Sequence, residues 1–423
     1  MSSGLYSGTS GLALGTGLYR NVSGLWGGAS GLVSGLGGGG SQQSLNLNLL
    51  YGPLDSRVTF SRASTETYYN SSGVITLAAV IEARIEHFPS TRLPRGLLLE
   101  GSRTNDLLNS LIDGTSLGTQ SVTVTEQVYT LSFYGSGQIA LSGAASATVV
   151  GNGAFPERRT YTFTPTAGSL ALTVTGTVQY AQLEAGPFAS SFIPTAGAAV
   201  TRAADSAAMV GGDFSSWYSL PAGSIAVGAE PEFGTVAGKP SALLLSGPGN
   251  FHALYLLGSS GDIGYDVGSS DTSLDFLSGT YTVSALPLMQ ASLLSNFTYQ
   301  YAVYGQAISY TTDAFANSGN GGPTTIDTSG DVPVGLTSMA LGPNDGSLGY
   351  GGWFGWLRGV QAYSSALDAR GLDVLSATAG ASPASLSIDF ITGQYYTAPV
   401  PFQTPPSLYI SFTADAYVVE GLI

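Results

Sequence analysis

Between residues 107 and 190 apolar residues recur at every second position. Val122 and Val124, then Tyr129, Leu131 and Phe133, then Tyr161 and Phe163, then Leu170, Leu172 and Val174 each fall on one side of an extended chain. Successive side chains of a strand point to opposite faces, so each run gives its strand one apolar face. Turn residues separate the runs at intervals of about ten residues, the spacing of a β-sandwich. The same pattern governs residues 205–380, with strands expected at 224–227, 242–245, 254–257, 281–286 and 299–304. One short helix is expected near the end of that stretch, capped by Ser365 and carrying Leu367, Val374 and Leu375 on one face.

Composition agrees with this pattern. Only 9% of the 423 residues are charged, 43% are hydrophobic and 59 are glycine. Such a chain has ample apolar surface to bury and many turns, which suits sheets packed face to face. Its length is too great for one ordinary core. The reading is an all-β protein of serial β-sandwich or jelly-roll domains, preceded by an extended glycine-rich repeat. The expected segments are the repeat at 1–43, a β-rich connector at 44–106, a small sandwich at 107–195, a jelly roll at 205–380 and a β-rich tail at 381–423.

The net charge of −14, with twelve scattered arginines and one lysine, argues against nucleic acid as a partner. Zero cysteines exclude disulfides, thiolate metal sites and cysteine nucleophiles. No basic segment followed by an apolar run opens the chain, so no secretory signal is read. No run of 18 apolar residues occurs, so no membrane span is expected.

The first 35 residues repeat Ser/Thr-Gly-Leu, with Leu5, Leu12, Leu18, Leu25 and Leu32 at steps of seven, six, seven and seven. A leucine near-heptad suggests a coiled coil. Fourteen of the first forty residues are glycine, however, and each costs a helix about 1 kcal/mol relative to alanine. The coiled coil is therefore rejected. A Gly/Ser linker is the plain alternative, but linkers lack regularly spaced Leu with Tyr6, Tyr19 and Trp26. These residues are read as apolar pegs of an extended attachment strap that docks on a partner or on sister chains.

Three longer motifs carry a resemblance. "LDSRVTFSRASTETYYNSSGVI…ARIEH…RGLLLEGSRTNDLLNS" resembles the opening segment of tailed-bacteriophage head-spike and tail-fibre proteins. "YAQLEAGPFASSFIPTAGAAVTRAAD" resembles the end of the carbohydrate-binding-module-like sandwich that follows in those proteins. "FGWLRGVQAYSSALDARGLDVLS" is similar to the closing strand and helix of phage concanavalin A-like (LamG-type) jelly rolls. The resemblance spans about residues 44–380; residues 1–43 fall outside it. It implies a virion structural protein, oligomeric and commonly trimeric, assembled in the bacterial cytoplasm. It further implies that the protein decorates a head, neck or tail and meets the host surface. Residues 1–43 would attach it to capsid, neck or tail proteins, and its sandwiches would bind a host surface glycan.

Sugar rings pack their CH faces on aromatic rings, so Trp217, Tyr218, Trp353 and Trp356 are the candidate glycan platform. Trp353 and Trp356 are three apart in an expected strand and so face opposite sides unless a bulge intervenes. At least one of them is then core. Asp262, Asp266 and Asp271 in GDIGYDVGSSDTS are candidate Ca²⁺ ligands, since Ca²⁺ takes six to eight oxygens from a loop; solvated turn aspartates would show the same pattern. No other cofactor is expected. Gly114-Thr115-Ser116-Leu117-Gly118 fits G-x-S-x-G but lacks the strand–turn–helix setting of a nucleophile. His87 and His252 are read as packed or surface residues. No catalytic residue is assigned, and a non-enzymatic role is expected. Alternatives are a purely architectural decoration protein or a polysaccharide hydrolase using paired carboxylates, drawn from Asp262, Asp266, Asp271 and Asp275 or from Glu230 and Glu232.

Overall fold

The computed structural model describes residues 7–8, 11–14, 18–20, 42–218, 220, 222–232, 239–256, 263–268, 273–277, 304–310, 315–319, 325–327, 332–343, 350, 352–379, 386–388 and 395–397. The chain divides into two compact units, Met1–Gly380 and Ala381–Ile423. In the second, Leu386–Ile388 and Tyr395–Thr397 pair as an antiparallel hairpin. In the first, the described part of the N-terminal repeat pairs as three short antiparallel strands, Ser7–Gly8, Gly11–Leu14 and Leu18–Arg20. Leu12, Leu18 and Tyr19 lie on those strands, and Leu5, Tyr6, Leu25, Trp26 and Leu32 lie outside the described residues.

The expected all-β class is what the structure shows. The small sandwich packs Arg159–Phe163, Tyr129–Tyr134 and Gln179–Ala185 against Gln120–Val124, Gly168–Thr175, Gln138–Gly143 and Ala147–Val150. The alternating residues meet in its core: Val122, Val124, Tyr129, Leu131, Phe133, Leu170 and Leu172 are all buried there, with Tyr161, Phe163 and Val174 packed at the edge.

The larger sandwich has two sheets. One runs, in spatial order, Ser273–Leu277, Ile263–Gly268, Asn250–Leu256, Ser241–Gly247, Ser338–Leu341, Ser206–Val210 and Thr59–Ser61. The other runs Thr325–Asp327, Phe315–Gly319, Tyr304–Tyr310, Gly223–Pro231, Gly355–Tyr363, Pro94–Leu99 and Arg84–His87. Gln43–Asn48 also pairs with Gly355–Tyr363, beyond the end of Pro94–Leu99. The 44–106 segment, expected as a connector, thus supplies strands to both sheets of the larger sandwich. Between the sheets, Leu45, Leu47, Leu97 and Leu99 meet Leu243, Leu245, Met209, Met339 and Leu341, with Trp353 among them. A bulge opposite Gly228 and Ala229 lets both Leu357 and Val360 face this core although they are three apart.

The small sandwich leaves and rejoins the large one at one point, where Arg103–Asn105 pairs with Val200–Arg202. The outer face of the second sheet is covered elsewhere by the helix Ala369–Ala379, whose Leu372 and Leu375 pack on Ala226, Ala307 and Tyr363. That helix begins later than expected. The Asp368 carboxylate, not Ser365, accepts the Gly371 N–H at 2.8 Å in the manner of an N-cap. The expected strand at 281–286 lies outside the described residues, as does 299–303.

Candidate functional site

The register of the second sheet sets up a polar outer face. Arg84 pairs with Leu98, Leu98 with Trp356, and Trp356 with Glu230, so these four side chains share one side. Glu86 and Glu100 continue it by period two, while Ile85, Leu97 and Leu99 turn to the core. Gly96 lies within this face at φ +138°, and a Cβ there would stand 2.4 Å from the Leu357 carbonyl oxygen. Glycine is what allows the two strands to approach at this point.

Where the small sandwich covers this face, three arginines and three carboxylates form one enclosed network. Arg84 reaches Glu66 at 2.6 Å, Glu100 at 2.8 Å and Asp205 at 2.6 Å. Arg202 reaches Glu66 at 3.2 Å and Glu100 at 3.0 Å, and Arg62 reaches Asp205 at 3.1 Å. No side chain of the six is more than 1% exposed. The small sandwich's exit loop completes it: the Ser191 N–H and hydroxyl donate to the two Glu100 oxygens at 2.9 and 2.6 Å. Arg202 also donates to the Gly101 carbonyl at 2.6 Å.

The two central glutamates are held differently. Burial alone would raise the Glu100 carboxyl, but Arg202, Arg84 and the two Ser191 hydrogen bonds outweigh it and hold it down to about 2. Glu66 sits against the same guanidiniums, yet neither of its oxygens receives a properly directed hydrogen bond. Burial pushes it up to about 8 against the pull of Arg84 and Arg202, with Asp205 and Glu100 adding to the rise. Enclosure leaves these carboxylates no route to a substrate, so the network acts as a joint between the sandwiches. It holds them in one register, because any slip strands a buried charge.

The face continues into a second cluster. The Trp356 indole N–H donates to Glu86 at 2.5 Å, and the Arg95 guanidinium stacks 3.0 Å from the Trp356 ring centroid. Arg95 also pairs with Glu230 at 2.7 Å. Glu232, the neighbour noted in the sequence, is half-buried. Burial and the carboxylates of Glu100 and Glu86 raise it to about 8 against Arg95 and Arg158. Arg158 braces the small sandwich's own side of this seam, donating to the Ser132 hydroxyl at 2.8 Å and to the exit-loop Ser190 carbonyl at 2.7 Å.

The four aromatic residues expected as a glycan platform are not placed as one. Trp217, Trp353 and Trp356 are 3%, 0% and 2% exposed, so they present no ring face to a sugar. Trp353 precedes its strand and fills the core between the sheets, while Trp356 is sealed beneath Arg95. Tyr218 keeps some exposure, but its ring stacks on Phe214 and on Tyr310, with centroids 5.0 and 6.0 Å apart. Its hydroxyl meets His252 Nε2 at 3.2 Å. His252 is fully buried, bonded to the Tyr265 hydroxyl at 2.7 Å, and lowered by burial to about 3. Trp356 is buried by what lies across the outer face, Arg95 first; the other three share a different reason. An aromatic residue in a two-layer sheet protein contributes most by filling the space between layers.

Of the expected Ca²⁺ ligands, Asp262 and Asp271 lie outside the described residues. Asp266 lies within a strand rather than a loop and is 0% exposed. Its oxygens accept from the Tyr255 hydroxyl at 2.8 Å, the Tyr350 hydroxyl at 2.5 Å and the Lys239 ammonium. A carboxylate so engaged does not offer itself to a cation. Among the described residues no group of three or more His, Cys, Asp or Glu is arranged to hold a metal. No helix among them is long and apolar enough to cross a membrane.

The sequence reading missed the network residues, because Arg62, Glu66, Arg84, Glu100, Arg202 and Asp205 read as ordinary solvent-side positions. One signal was present: in a chain so poor in charge, all six fall inside the first two of the three motifs that carry the phage resemblance.

No protein-family model matches the chain, and no curated protein matches it. Among solved structures, the CBM40 domain of a Ruminococcus gnavus IT-sialidase is 13% identical over 37% of this chain and 84% of that one, with a TM-score of 0.29. Domain 4 of AbnA, a GH43 extracellular arabinanase from Geobacillus stearothermophilus, in complex with arabinotriose, is 18% identical over 45% and 82%, with a TM-score of 0.30. The binding domain of botulinum neurotoxin DC in complex with SialylT is 9% identical over 44% and 42%, also at 0.30. Superpositions this loose establish no function for this chain.

Proposed function

We propose that this chain is a structural protein of a tailed-phage particle, attached through residues 1–43 and presenting its sandwiches to a host surface glycan. The observation that supports the reading is the buried network. The two segments that resemble phage head-spike and tail-fibre proteins supply its two sides: Arg62, Glu66, Arg84 and Glu100 from one, Ser191, Arg202 and Asp205 from the other. In this chain the two motifs thus build a rigid joint between two sandwiches, an architectural device rather than a reaction centre. A homo-oligomer, with a trimer favoured, assembled in the bacterial cytoplasm would multiply weak glycan contacts into avidity.

A purely architectural decoration role is the second reading. It is favoured by the burial of three of the four expected platform rings. Because residues 43–99 contribute strands to the larger sandwich, the test uses the full chain rather than a C-terminal fragment. Purified full-length oligomers are expected to be retained by host cells or their surface polysaccharide, and failure at high avidity refutes glycan binding. Deleting residues 1–41, outside the sandwich strands, is expected to remove the protein from particles while the sandwiches still fold. Normal decoration by the shortened chain refutes the attachment role.

A further inference from the structure

The outer face of the first sheet of the larger sandwich holds a second charge pair, of a different kind: a buried Asp266 carboxylate covered by a Lys239 side chain that is 31% exposed. Phe251, Ala253 and Tyr255 stand directly opposite Gly268, Asp266 and Gly264 on the neighbouring strand, so all six share that face. Both glycines lie beneath rings. A Cβ on Gly264 would stand 2.4 Å from the Tyr255 ring, and one on Gly268 would stand 2.2 Å from the Phe251 ring. The two rings thus fold over the strand on either side of Asp266. Tyr350 closes the space above, its ring 5.2 Å from Phe251 and 5.8 Å from Tyr255. The other occupant of this aromatic box is the Lys239 ammonium, 4.9 Å from the Tyr255 ring and 5.5 Å from the Tyr350 ring, in contact with Asp266 Oδ2. Lys239 is the sole lysine of the chain.

We propose that Lys239 and Asp266 are the two ends of an intramolecular isopeptide crosslink. Three features carry this. The amine is fixed against the carboxyl by a backbone bridge between Lys239 and Tyr350, and groups so held react with effective molarities of roughly 10⁵–10⁸ M. The aromatic walls narrow the gap between the ion pair and the neutral amine and acid that react. The two phenols are aimed at the two carboxyl oxygens, Tyr255 at Oδ1 and Tyr350 at Oδ2.

In the reaction the Nζ lone pair attacks Cγ, and the charge that develops on Oδ1 is held by the Tyr255 hydroxyl. Oδ2 departs as water, taking two protons shed by the ammonium. The Tyr350 hydroxyl is placed to relay one of them and regains its own. An ammonium and a carboxylate thus become one amide and one water, with no oxidant, activating group or external base consumed. The product would tie Lys239, two residues before Ser241–Gly247, to the strand Ile263–Gly268, two strands away in the sheet. It would give a chain without cysteine a covalent clasp.

The test is the intact mass of the denatured full-length protein. The expected mass lies below that of the sequence by one water, and proteolysis yields a single branched peptide containing both Lys239 and Asp266. Amine-labelling in denaturant then modifies only the chain's α-amine, since the sole lysine is consumed. The variant K239R is expected to show the full mass. An unreduced mass, a labelled Lys239, or a water loss mapped to another site overturns the proposal. The wild-type measurement decides even if K239R does not fold.

Discussion

Replacing Glu100 by Gln keeps its shape and removes its charge, and it tests the joint between the sandwiches directly. Glu100 is enclosed between Arg84 at 2.8 Å and Arg202 at 3.0 Å, with both Ser191 donors on its oxygens. Its carboxyl is held at about 2 from an ordinary 4.5. At about 1.4 kcal/mol per pH unit, that displacement is worth roughly 3 kcal/mol at neutral pH. Breaking a buried ion pair from one side costs about 3–5 kcal/mol, which agrees. The folded-state value is depressed, so the stabilisation is present above about pH 4.5 and is lost as pH falls towards 2. E100Q should therefore unfold about 3 kcal/mol more easily than wild type at pH 7, and the difference should shrink steadily below pH 4.5. Denaturant unfolding followed by tryptophan fluorescence reads this, because Trp353 and Trp356 are buried in the larger sandwich. A loss below about 1 kcal/mol at pH 7, against the 3–5 expected for a broken buried pair, refutes the electrostatic account. So does a loss that is the same at pH 3 as at pH 7, which would assign it to packing.

The neighbouring substitution should act in the opposite sense. Glu66 is raised to about 8, so its folded form favours the proton between about pH 4.5 and 8, and wild-type stability contributed there falls as pH rises. E66Q should match wild type near pH 4.5 and exceed it at pH 8, read by the same unfolding assay; a variant weaker than wild type at pH 8 contradicts the assignment. Trp353→Ala should cost about 3–5 kcal/mol through the cavity it opens between the sheets. If glycan binding is found, this variant should lower it only in proportion to the unfolded fraction. A selective loss of binding with stability intact would return Trp353 to a ligand surface.

Period-two alternation was enough to reveal the all-β class, because an apolar face every second residue has no other use in segments so short. Val122, Val124, Leu170 and Leu172 are buried where their spacing puts them. Which residues share a face was thus legible; what covers that face was not. Arg84 and Glu86 alternate with Ile85 as solvent-side residues do, and only the small sandwich lying across them turns that side into an interior. Trp356 followed the same course, from a candidate sugar platform to a ring sealed under Arg95. The role of 44–106 was equally hidden, since hydrogen-bonding partners hundreds of residues away make Gln43–Asn48 and Pro94–Leu99 part of the larger sheet. Local pattern, then, determined the strands and their inward sides. Long-range pairing and the stacking of a further layer decided which outward sides meet water, and with them which charges are enclosed and which rings are free to bind.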